Sequence, residues 1–175
     1  MNAKPVCWAL IAVLVVWGTP TALGSSALAT HGVTISIPQA NEISGDLQSF
    51  NLAFTDFLAG SETNQQVVNY HIKANSLGRD NGVVQVKVSV SVPGVAVKAD
   101  AGVFSKQAGN ARLVESNEGF VALGEEYTHL YDRQTDSGDG AVAVGDFSVI
   151  YKAATNEAMS AQNVHVELSI VVVDV

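Results

Sequence analysis

The 175-residue sequence predicts an all-β protein, an antiparallel sandwich or barrel of about seven to nine strands. Three observations carry that expectation. Apolar residues recur with period two through most of the chain after residue 30, turn signals interrupt them at short intervals, and no stretch holds the 3.6-residue period of a convincing helix.

The clearest alternation is VVQVKVSVSV at residues 83–92, which puts Val84, Val86, Val88, Val90 and Val92 on one face and Gln85, Lys87, Ser89 and Ser91 on the other. A helix would scatter those valines round its cylinder, whereas a strand gathers them on one buried side. The same test selects VTISI (33–37), SFNLAF (49–54), VVNYHIKA (67–74), VAVKADAGVF (95–104), GFVAL (119–123), AVAVGDFSVIYKAA (141–154) and the apolar run to Val175. SLGRDNG, PG, QAGN and DSGDG separate them as turns. Residues 55–61 and 156–162 each have room for one helical turn. Within 141–154 the apolar phase changes from even (Val142, Val144) to odd (Phe147, Val149, Tyr151), which predicts a bulge at Gly145-Asp146.

The chain opens with the order of a secretory signal. One lysine precedes the uncharged block VCWALIAVLVVWG, and small residues ending in Ala27-Leu28-Ala29 follow it. The block is shorter than the ~20 residues of a membrane span. Cleavage is therefore expected after Ala29, leaving residues 30–175 as one domain with no cysteine or tryptophan and an extracytoplasmic destination: periplasm, cell surface or medium. Its side chains include all 17 acids and eight of the nine bases, a net charge of −9. Nucleic acid and anionic lipid both demand a positive footprint, so neither is an expected partner, and no membrane insertion is expected after cleavage.

Catalytic signals do not emerge. The sequence holds no G-x-S-x-G elbow, Glu125 and Glu126 are adjacent and would point to opposite faces of a strand, and the four histidines form no i, i+2 or i, i+4 pair. The acidic stretch GEEYTHLYDRQTDSGDGAVAVGD (124–146), with Glu125, Glu126, Asp132, Asp136, Asp139 and Asp146, reads as a solvated hairpin. If it held a cation, calcium would be the fit and Asp136 and Asp139 the first ligands, although their spacing departs from the EF-hand pattern. No other cofactor is expected.

The apolar ends are the features left over. VTISIP alternates and then meets Pro38, which cannot donate to a ladder. The closing run alternates through Val164, Val166, Leu168 and Ile170, after which Val171, Val173 and Val175 make the opposite face apolar as well. The thirteen residues NVHVELSIVVVDV (163–175) would span about 43 Å at ~3.3 Å each, twice a usual strand. Val33, Ile35, Ile37, Val171, Val173 and Val175 are thus the expected assembly residues, able to pair with another subunit by strand addition.

VTISIP, VVNYHIKANS with VVQVKVSVSV, and VHVELSIVVVDV together resemble, as a pattern over most of the chain, the secreted pilin-like and spore-coat-U-like Ig-type β-sandwiches of bacterial surfaces. The resemblance implies an antiparallel Ig-like sandwich and a fimbria-like or coat-like structural role, with itself or another surface protein as partner and no catalytic residues. The usual disulfide of that family is missing. The alternative function is a soluble exported binding module, with calcium dependence as one version of it.

Overall fold

The computed structural model describes residues 34–78, 82–136, 140–160 and 164–173. The signal-like residues 1–29 lie outside them. The chain divides into Met1–Ser36 and Ile37–Val175, and all the described strands belong to the second unit.

Those strands number ten, in two antiparallel sheets, and no helix occurs among the described residues. In chain order they are β1 (Asn41–Gly45), β2 (Gln66–Ala74), β3 (Val84–Val88), β4 (Val95–Ala101), β5 (Ser105–Gly109), β6 (Ala111–Glu115), β7 (Val121–Ala122), β8 (Thr128–Thr135), β9 (Ala143–Thr155) and β10 (Leu168–Val172). One sheet runs β1-β2-β9-β4-β7, with β5 also paired to β9, and the other runs β10-β3-β8-β6. The expected all-β antiparallel sandwich is present, one strand richer than the upper expectation.

β9 organises the larger sheet. One of its edges pairs with β2 from Ala143 to Tyr151; the other is shared by β5 at its start and β4 at its end. Its residues alternate buried and half-buried without a break over all 13 positions. The bulge expected at Gly145-Asp146 is therefore not in β9. Ala143 and Gly145 are the inward residues of its first half, too small to register in a hydrophobic pattern, while the more conspicuous Val142 and Val144 point outward. The inward site at Gly145 is already filled by the Phe104 ring and Ser105 O. The register slips on the partner strand instead, between Lys106 and Ala108 of β5.

The two inner faces meet in one core. Val68, Ile72, Phe147, Val149 and Tyr151 from the larger sheet pack with Val84, Val86, Val88, Leu113, Leu130 and Tyr131 from the smaller. Each fully buried aliphatic side chain contributes about 1.5–3 kcal/mol relative to exposure. Tyr131 joins the sheets directly: its ring lies 4.8 Å from that of Phe147, and its hydroxyl donates to Gly102 O at 2.7 Å with Ser148 O at 3.1 Å.

Three other expectations are corrected. The acidic stretch is not a hairpin standing in solvent, because β8 is an inner strand of the smaller sheet between β3 and β6. A register shift opposite Val84/Gln85 leaves Leu130 without a partner in β3, so Leu130 and Tyr131, adjacent in sequence, are both buried. Second, VVQVKVSVSV supplies only five strand residues, with Val90 46% exposed beyond its end. Third, SFNLAF and VTISI form no strands in the described residues, and the first strand is the less apolar NEISG of β1.

Candidate assembly surface

The sequence 34–40 forms no strand, and Ile35 and Ile37 are 82% and 81% exposed. Asn75 fixes where this segment leaves the sheet. Its side chain accepts from Ala40 N and donates to Pro38 O, both at 2.8 Å, and its backbone N donates to Ala40 O at 3.0 Å. The chain is thus clamped beside the C-terminal end of β2, and the two isoleucines precede the clamp. Val33 lies outside the described residues.

At the other apolar end, β10 is the edge strand of the smaller sheet and among the described strands pairs with β3 alone, Leu168 with Val88 through Val172 with Val84. Val166, Leu168, Ile170 and Val172 pack against the core, so the alternation read from the sequence holds here. Val171 and Val173 take the opposite face, Val171 half-buried and Val173 36% exposed. Val173 is nevertheless anchored through its backbone: its N donates to Val83 O at 2.8 Å and its O accepts from Gly78 N at 3.1 Å. Val175 lies outside the described residues.

Asp136 follows β8, and its carboxylate is taken by two cations of its own chain, Lys106 Nζ and, at 3.6 Å, Arg112 Nε. The hydrogen bond from Lys106 holds the Asp136 carboxyl below the ordinary carboxylate range. A calcium ion would have to displace both partners. Asp139 lies outside the described residues, and among those described no three His, Cys, Asp or Glu side chains gather to hold a metal ion.

Two surface features escaped the sequence reading. On the outer face of the larger sheet His71 and Asp146 are cross-strand partners, joined Nδ1 to Oδ1 at 2.7 Å, and Gln107 at the β5 slip donates to the other Asp146 oxygen. His71 and Asp146 stand 75 positions apart, so only the register could pair them. The second feature is a groove of about 740 Å³ bordered on one side by residues 51–57 and on the other by Thr155, Met159 and Ser160. Its lining is mixed, with Asn51, Thr55, Asp56, Thr155 and Ser160 beside the apolar residues; Phe57 is 67% exposed, and Leu58 next to it is 55% exposed. Asp56 shapes the rim by accepting from Phe57 N at 2.6 Å and Leu58 N at 3.2 Å. Met159 N donates to Phe57 O at 3.0 Å and Thr155 Oγ1 to Leu58 O at 2.8 Å, which ties the two walls together.

Comparison of the chain with protein-family models, with curated proteins and with solved structures finds no match in any of the three.

Proposed function

We propose that the protein is an exported, non-catalytic structural subunit of a bacterial cell surface, fimbria-like or coat-like, which associates with further copies of itself or another surface protein by strand addition. The observation that carries this reading is the exposed pair Ile35 and Ile37. They stand at alternate positions of the uncharged sequence VTISI, the pattern of a half-buried strand, whose described residues 34–37 form no strand. Two apolar side chains on one face of an unpaired segment favour a partner that covers them, because burial stabilises each by about 1.5–3 kcal/mol. The resemblance of the strand pattern to pilin-like sandwiches supports the same class, and the signal-like N-terminus supports export.

Light scattering on the exported protein across a concentration series tests the reading. Mass should rise with concentration, and Ile35→Lys/Ile37→Lys should abolish the rise without lowering the melting temperature. A protein that stays monomeric at every concentration would exclude self-association.

A further inference from the structure

Resting on that reading, the geometry points to the groove between residues 51–57 and Thr155/Met159 as the place where residues 33–37 of a second copy of the chain dock. The floor and rim chemistry suits such an occupant. Leu52, Phe54, Phe57 and Met159 are apolar, and the one carboxylate among the lining residues, Asp56, is already engaged by the backbone amides of Phe57 and Leu58. The other polar lining side chains, Asn51, Thr55, Thr155 and Ser160, are uncharged, so an ionic ligand would find no free charge among them to recognise it. VTISI carries no charge, which matters for association between exported chains that each bear a net charge of −9: like-charged surfaces repel, and an uncharged segment approaches at the least cost. Length also matches, since the seven residues along the groove would span roughly 23 Å if extended and the five of VTISI about 17 Å at ~3.3 Å per residue.

Reach decides between the same chain and another copy. The Asn75 clamp holds Pro38 and Ala40 beside Ala74, which pairs with Ala143 at the start of β9. The groove is at the far end of that strand, at Thr155. Twelve steps along β9 amount to roughly 40 Å. Five residues ahead of Pro38 extend no more than about 18 Å. The segment of one copy therefore cannot fill that copy's own groove and must enter another's. Because the donating and accepting surfaces lie at opposite ends of β9, the contact is head-to-tail and leaves a free groove and a free segment after every addition. Such heterologous contacts grow open chains when the rotation does not close into a ring.

Complementation tests the assignment. One variant loses the segment (Ile35→Lys/Ile37→Lys), the other loses the groove (Phe57→Glu, with Met159→Glu from the opposite wall as a second version); Phe57 is exposed enough for the charge to leave the fold intact. Each should be monomeric alone by light scattering. Mixed in equal amounts they should form a dimer that grows no further, because only one intact groove and one intact segment remain. A peptide of residues 32–39 should bind the segment variant saturably and the groove variants at least tenfold more weakly. If both groove variants associate like the unaltered protein while the segment variant does not, the groove is not the acceptor and self-association stands. If the unaltered protein never associates, the inference and the reading beneath it fail together.

Discussion

Tyr131 shows how single residues hold the two sheets together. Its fully buried ring packs on Phe147 while its hydroxyl reaches backbone carbonyls of the opposite sheet, Gly102 O and Ser148 O. Tyr131→Phe keeps the ring but takes the hydroxyl from Gly102 O, while Ser148 O keeps its bond from Gly102 N, so it should lower the unfolding free energy by about 1–3 kcal/mol, read as a shift in denaturant midpoint at constant slope. Tyr70 and Tyr151, whose hydroxyls meet at 3.1 Å, are likewise drawn into the core. Burial raises all three phenols above their usual value of 10.0. Above that pH the unfolded chain has released protons that the folded chain still holds, so stability must fall as pH rises further. In a Tyr127→Phe background, which leaves only these three, phenolate absorbance should therefore appear together with loss of near-ultraviolet dichroism, whereas their ionisation in a fully folded protein would contradict their burial. Gly145 is the other sensitive position. A methyl group there would press into Ser105 O and the Phe104 ring, so Gly145→Ala should destabilise by about 1–3 kcal/mol through overpacking, despite alanine's better intrinsic fit to a strand.

At the scale of the element, the strands that announced themselves were those with large apolar residues on one face and polar ones on the other. β2, β3, β4 and most of β9 and β10 answer to that pattern. β5 did not, because all five of its residues are exposed and it is held to β9 by the backbone ladder and a polar side-chain contact from Gln107 to Asp146, with no apolar face to show. β8 hid behind its charges and its irregular register, which buries two neighbours where alternation expects one. VTISI erred in the other direction: period two marks a segment able to pair, and pairing also needs a free edge within reach. The groove was illegible for a similar reason, since Phe57 and Met159 are 102 positions apart and their meeting depends on residues 61–63 running beside the end of β9. The closing run divides in the same way: Ile170 of β10 packs against the core, and Val173, just past the end of β10, is 36% exposed on the opposite face. Ile170→Ala should cost about 1–2 kcal/mol, less than the ~2–5 kcal/mol of a fully buried isoleucine, whereas Val173→Lys should stay within about 0.5 kcal/mol of the parent.

For the molecule as a whole, ten short and long strands close a core without any disulfide, since the one cysteine, Cys7, precedes the described residues. Stability then rests on burial and on the sheet ladders, and the molecule leaves its N-terminal isoleucines in solvent. Calcium should not raise the melting temperature, because Lys106 and Arg112 already neutralise Asp136; a rise reversed by a chelator would instead mark a native-state ligand and favour a calcium-dependent binding module. Self-association is the central claim, and one measurement tests it most directly: the light-scattering mass of the exported protein over a wide concentration range, beside that of Ile35→Lys/Ile37→Lys. The expected result is a mass that climbs with concentration in the parent and stays at one chain in the variant; equal, concentration-independent monomer masses for both would contradict it.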